Sequence, residues 1–329
     1  MDIPATYAAL RLLPFIREKS FVRNAIESAF RLLQLRSEWG AAALLLVACL
    51  SDRAAAQSPE DTQYEDITVV TQRKTALQAE TLSISATPEA APHLEHPSYI
   101  VGLGALVGPA YDGSNKTKTS PYPYVDIRGL WDDRLFVSSL RGIGFNAFEA
   151  GPFRGGLTLN YISGRTSSDD PRLRGLPDIS SGAAVGGFLT WSYKALSVEA
   201  EAQNTFGSSA RTEAALGVNY TLVPIPRLHL SIGAHVNWGD SRYERINFGV
   251  TPAEAAQANA LGNPLSPYQA KAGITVAGVT AAGLYQIGKH WGVVGRVGLQ
   301  DIAGSSAKNS PLTQKNFFSS VALGAMYQF

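Results

Sequence analysis

The chain is poor in cysteine and in charge. A single cysteine, Cys49, stands among 329 residues, so no disulfide forms within the chain. Charged residues make up 17%, against about 25% in soluble globular domains. Neither sign dominates: 28 Lys and Arg against 27 Asp and Glu leave a net charge of +1. This excludes the broad basic field that nucleic-acid binding requires. No apolar run approaches the length of about 18 residues that a spanning helix needs, and the mean hydropathy is −0.02. Plentiful instead are glycine, at 31 residues, and aromatics, at 5 Trp, 13 Tyr and 13 Phe. Such a chain fits a soluble β-protein or an outer-membrane barrel.

The N-terminal part reads as an export signal. Arg31 and Arg36 precede the apolar run 41–50, which is followed by Ala54-Ala55-Ala56-Gln57. A basic lead, a short apolar core and an A-x-A site make a secretory signal, with cleavage expected after Ala56. A second site competes with it: Leu46-Val47-Ala48-Cys49 resembles a bacterial lipobox, whose cysteine is lipidated. Residues 1–30 exceed what such a signal needs, so the expected translation start lies downstream of Met1.

Residues 57–97 are rich in Gln, Thr, Ser, Pro, Glu and Ala without a sustained apolar period. A segment of this kind buries too little surface to offset its ordering entropy, and is expected to be a disordered periplasmic tail. Within it, residues 66–74 (Asp-Ile-Thr-Val-Val-Thr-Gln-Arg-Lys) resemble a TonB box, an extended segment that adds a strand to a TonB-like periplasmic partner. The plug domain that follows such a box in TonB-dependent receptors is absent, and a β-prone patch in a tail explains the same residues.

From about residue 98 the pattern changes to period two. Ser197, Glu199, Glu201, Gln203 and Thr205 fall on one face, and Val198, Ala200, Ala202 and Phe206 on the other. His229, Ser231, His235 and Asn237 oppose Leu228, Leu230, Ile232, Ala234, Val236 and Trp238. Alternation means strands with one apolar and one polar face. The segments run to about ten residues, enough to cross a bilayer when tilted. Aromatics recur near the ends of the apolar faces, at Trp191, Tyr193, Trp238, Tyr285, Trp291 and Tyr327, as an interfacial girdle requires. Strands in lipid must close on themselves to satisfy their backbones.

The expected fold is therefore all-β: a transmembrane antiparallel up-and-down β-barrel of about twelve strands over residues 98–329. The strands fall near 98–109, 120–130, 134–140, 142–149, 153–163, 182–194, 197–207, 213–224, 227–239, 273–287, 291–303 and 317–329. Long connections at 110–119, 164–181, 240–272 and 304–316 then share one side, and short turns near Asp132, Gly151, Ala195, Pro226 and Lys289 the other. The split at Arg141-Gly142 rests on parity, because merging 134–149 leaves an odd count and puts 164–181 on the wrong side.

The expected lumen lining includes Asp126, Arg128, Arg154, Glu199, Glu201, His229, His235 and Arg296. Acids and bases are balanced there, which reads either as mutual pairing that rigidifies the barrel or as the selectivity lining of a narrow channel. Twelve strands enclose more space than the eight that side chains readily fill. Loops 164–181 and 240–272 are free to fold inward or outward. Catalysis finds little support. His229 and His235 lie six residues apart, about 20 Å along a strand, too far to share a metal. Ser231 and Asn237 flank them in a composition that also suits a barrel-embedded hydrolase. His93-Leu94-Glu95-His96 in the tail could bind a metal weakly, but one such pair reads more readily as solvated sequence. No catalytic, cofactor or metal residues are assigned.

Several stretches are similar to the MltA-interacting protein (MipA/OmpV) family of outer-membrane proteins. They are Tyr111-Asp112-Gly113-Ser114, Arg141-Gly142-Ile143-Gly144, Gly164-Arg165 with Asp169-Asp170-Pro171, and Leu173-Arg174-Gly175-Leu176. Phe248-Gly249-Val250-Thr251-Pro252 and the closing Ala322-Leu323-Gly324-Ala325-Met326-Tyr327-Gln328-Phe329 complete the set. The resemblance implies an outer-membrane scaffold, in a Gram-negative bacterium, that brings a lytic murein transglycosylase together with a peptidoglycan synthase. The final strand, ending in Tyr327 and Phe329, resembles the signal read by the barrel-assembly machinery. Besides the scaffold, two readings stay open: a small-solute channel, with residues 66–74 as its TonB-like coupling, and, more distantly, the hydrolase.

Overall fold

The computed structural model describes residues 97–139, 141–207 and 209–329. The expectations for the leader and signal (1–56), Cys49, the patch 66–74, His93 and His96 lie outside the described residues, as does the tail except Pro97.

Twelve antiparallel strands close into one barrel, with each strand paired to its sequence neighbours and the last to the first. They are β1 (Ser98–Pro109), β2 (Thr117–Leu130), β3 (Leu135–Ser138), β4 (Gly142–Ala150), β5 (Phe153–Ile162), β6 (Gly182–Tyr193), β7 (Leu196–Thr205), β8 (Arg211–Ile225), β9 (Leu228–Gly239), β10 (Gly273–Ile287), β11 (Trp291–Ile302) and β12 (Phe317–Gln328). Alternation sets the two faces. Leu103, Leu157 and Leu323 are 67%, 58% and 62% exposed on the outside, while Tyr122, Tyr124 and Leu284 are buried within. An apolar girdle of this extent in water would drive association; in a bilayer it is the solvated face.

The split between residues 134 and 149 is real, since β3 and β4 form a hairpin with Val137 opposite Ile143. β3 is only four residues long. Its turn is pinned to β2 by the Ser139 backbone N–H, which donates to the Val125 carbonyl at 2.8 Å, and by the Val125 N–H, which donates to Ser139 Oγ at 2.6 Å. Two strands start earlier than expected. β2 begins at Thr117 because its ladder with β1 continues to Pro109, and β8 begins at Arg211 because Thr205 of β7 pairs with it.

The short turns lie at the end of the barrel that also holds the start of β1 and the end of β12. The β2–β3 turn holds three successive residues in the left-handed region, Trp131 (φ 51°), Asp132 (φ 54°) and Asp133 (φ 60°). Aspartate tolerates that region better than tryptophan, for which it costs about 1–2 kcal/mol. Asp133 repays the strain locally: its Oδ1 accepts the Gly129 N–H at 3.2 Å and its carbonyl accepts Asn146 Nδ2 at 2.8 Å. The longer connections gather at the opposite end, which by the rule of short periplasmic turns and long outer loops faces the cell exterior.

Candidate functional site: a filled lumen under a folded cap

The connections after β1, β5, β9 and β11 fold against one another. Three helices lie in them: α1 (Ser241–Phe248), α2 (Pro252–Ala260) and α3 (Ser305–Lys308). Asp240 caps α1 by accepting the N–H groups of Arg242 and Tyr243 at 3.0 and 2.6 Å. Thr251 and Glu254 form a reciprocal capping box on α2, with Pro252 at its first position. Tyr111, Leu173, Leu176, Val250, Leu265 and Leu312 bury one another in a core drawn from all four connections.

Polar staples hold that core. Arg172 donates from Nε and Nη2 to the Pro311 carbonyl at 2.9 and 2.8 Å, and from Nη1 to the Pro264 carbonyl at 3.2 Å. Asn263 Nδ2 donates to the carbonyls of Arg172 and Arg174, each at 2.9 Å. Tyr111 Oη donates to the Leu312 carbonyl at 2.7 Å, and Arg165 Nη1 to the Asn247 carbonyl at 3.0 Å. Gly175 (φ +87°) lets the chain pass α2 so closely that a Cβ there would sit 2.6 Å from Ala258 Cα. Burial pushes the Tyr111 phenol up to about 12 and holds the Arg165 guanidinium down to about 10. Burial likewise raises the Glu244 carboxyl, on α1, to about 8.

Below the cap the lumen divides into two sides. Ile100, Leu106, Tyr122, Tyr124, Leu284 and Met326 form an apolar cluster on β1, β2, β10 and β12. The other side is charged. Arg141, from the β3–β4 turn, places Nη2 at 2.8 Å from Glu199 Oε1 and its guanidinium 4.3 Å from the Phe188 ring centroid. Thr190 donates to Glu199 at 3.4 Å, Thr158 to Glu201 at 3.5 Å, and Asn160 Nδ2 to Gln203 Oε1 at 2.9 Å. Nearer the cap, Arg211 lies 3.5 Å from Glu213 and 5.9 Å from the ring of Tyr243 on α1.

The sequence-derived candidates are distributed rather than convergent. Asp126 and Arg128 form a two-point pair on β2 at 3.0 and 2.8 Å. Arg154 sits near the turn end, 3.2 Å from Glu149 and 4.0 Å from Asp133. Glu199 and Glu201 are buried in the charged cluster, whereas Arg296 donates to Thr280 Oγ1 at 3.3 Å on the far side. His229 lies opposite Leu284 and His235 opposite Gly278, six residues apart on β9. Tyr327 stacks on His290, meets Trp291 edge-on and the Phe329 ring at 5.0 Å, with the Phe329 N–H donating to the Tyr99 carbonyl at 3.1 Å.

Sequence reasoning missed Arg141, Arg211, Glu213 and Glu244. In the sequence Arg141 falls in a turn and Arg211 in a connection just ahead of an alternating stretch. The alternation that marks Glu199, Glu201 and Gln203 extends across the β7–β8 pair to Glu213, opposite Gln203, and to Arg211, opposite Thr205. That extension was the available signal.

A closed barrel with an apolar outer band and a polar, capped interior defines an integral outer-membrane protein of a Gram-negative bacterium. The chain belongs to the MltA-interacting protein family: the sequence model described as MltA-interacting protein MipA matches residues 101–329. A comparison with curated proteins found no match. Among solved structures, an outer-membrane channel from Pseudomonas putida F1 is similar at 10% identity over 83% of this chain and 100% of that one, with a TM-score of 0.34. OmpT of Vibrio cholerae is similar at 10% identity over 71% and 97%, with a TM-score of 0.32. The N-terminal barrel domain of Pseudomonas aeruginosa OprF matches at 9% identity over 54% and 96%, with a TM-score of 0.22.

Proposed function

We propose that this protein is an outer-membrane scaffold that holds a murein transglycosylase and a peptidoglycan synthase together beneath the membrane. One observation carries the reading. Much of the lumen lining is packed beneath a cap with its own core, and Tyr122, Tyr124 and Arg211 are each only 1% exposed. A capped barrel with a packed lining favours work at its surfaces, the periplasmic turns and the tail, over passage of solutes. Membership of a family named for binding a transglycosylase agrees with this. The same packing disfavours the channel reading unless the cap moves. The division into a leader cleaved after Ala56, a tail over 57–97 and the barrel belongs to this proposal.

The test is brief in-cell crosslinking and affinity recovery of the full chain and of a variant lacking residues 57–97. A transglycosylase and a synthase recovered with both forms support a scaffold acting through the barrel. A TonB-like protein recovered only with the full form instead makes the tail a transport coupling.

A further inference from the structure

We infer that the outer half of the barrel wall carries a notch between β2 and β5 that seats an acyl chain of lipid A, the phosphorylated glycolipid of the outer leaflet. This goes beyond the scaffold reading and does not depend on it.

The notch follows from the shortness of β3. β3 pairs with β2 no farther outward than Ser138 opposite Asp126, and β4 begins at Gly142 opposite Ser138. Above that level, among the described residues, Thr117–Val125 of β2 has a strand neighbour only in β1. Asn160–Ile162 of β5 likewise has one only in β6. At this level two strands, each occupying about 4.8 Å of wall elsewhere, do not reach between β2 and β5. The floor is the β3–β4 turn, where Ser139 is bonded to Val125. The roof is the connection after β5, which crosses to β2 through the ion pair of Asp169 and Lys118 at 2.6 Å. Behind it the lumen-facing Tyr122 and Tyr124 of β2 are buried in the apolar cluster with Leu106, Leu284 and Met326, so the notch backs onto packed side chains.

The residues at its edge indicate what lies in it. Val125 directs its N–H and C=O toward Ser139, so every second residue of β2 presents its backbone to the notch. Pro121 and Pro123 fall in that set, and both are exposed. Proline has no N–H, so two donors that hydrocarbon would leave unsatisfied are absent. The same absence removes the donors that an added peptide strand would need, which disfavours strand addition here. With Leu159 and Tyr161, the latter 72% exposed, the rim is apolar and open to lipid. Exposed Lys116 stands at the roof, where the phosphates of lipid A would lie, beside Lys118, which is held by Asp169.

The experiment uses the full chain in nanodiscs containing lipid A with a photoreactive acyl chain. A parallel sample carries phosphatidylethanolamine labelled in the same way. Adducts are mapped by mass spectrometry. The expected result is lipid A labelling severalfold higher at Pro121, Pro123, Val125 and Tyr161 than at Val218 and Ile232 on the opposite wall, and its loss in Val125→Trp, which fills the floor. If that variant does not assemble, Tyr161→Trp serves instead. Labelling spread evenly around the barrel overturns the inference, as does notch labelling by phosphatidylethanolamine alone or notch labelling that survives the filling substitution.

Discussion

Arg141 reaches past two strands to place its guanidinium 2.8 Å from Glu199, and the pair is sealed inside the lumen against the rings of Phe136 and Phe188. The arginine comes from the tight turn between the two strands that are hardest to see in the sequence. Turn and ion pair therefore support each other: the pairing holds a four-residue strand in the wall, and the strand aims the arginine.

Removing one partner leaves a buried charge. Arg141→Ala is expected to destabilise the barrel by about 3–5 kcal/mol, whereas the double change Arg141→Met with Glu199→Leu recovers most of that loss. Urea unfolding followed by the heat-modifiable shift on gels checks both variants. A wild-type midpoint in the single variant removes the ion pair from the account of stability.

The cap depends on Arg172, whose three hydrogen bonds tie the connection after β5 to those after β9 and β11. Arg172→Ala is expected to open the cap while the barrel stays folded. Limited proteolysis would then cut within residues 163–181 or 303–316, and planar-bilayer recordings would show conductance above that of the wild type. Unchanged protection and conductance would mean that the apolar core holds the cap without this residue.

Glu244 makes the cap sensitive to pH. Burial keeps its carboxyl protonated up to about 8 in the folded protein, against an ordinary value of 4.5. Between those values folding takes up a proton, so stability is greatest below the ordinary value and declines as pH rises toward about 8. Above that it is level. Glu244→Gln is expected to flatten the decline and to slow amide exchange in α1 relative to wild type at pH 9, with little difference at pH 4. Equal exchange ratios at both pH values would contradict this.

Phe329 packs on Tyr327, which also meets Trp291 and His290, beside the seam where β12 meets β1. Deleting it is expected to lower the amount of folded, heat-modifiable protein in the outer membrane. Unchanged levels would remove Phe329 from the assembly signal.

Much of the barrel was legible because its physics is local. Period two fixes which residues face lipid, and parity required the break at Arg141-Gly142 although nothing in residues 134–149 marks a turn strongly. The cap was not legible. Its contacts join positions far apart in sequence, such as Arg172 with Pro311 and Tyr111 with Leu312, and no local pattern announces a partner that distant. The charged lumen was half legible: Glu199 and Glu201 lie on a clean alternating strand, but Arg211 enters just before the stretch where β8 becomes recognisable.

The most direct measurement is site-specific photocrosslinking in living cells, with the crosslinker placed in turn at Asp132, Lys194 and Lys289 on the periplasmic turns and at Arg174 and Leu261 on the cap. A scaffold working from beneath the membrane gives adducts to a murein transglycosylase from one or more of the turn positions and none from the cap. Absence of such an adduct at every turn position, in cells where the barrel is folded and the transglycosylase is present, would contradict the scaffold function.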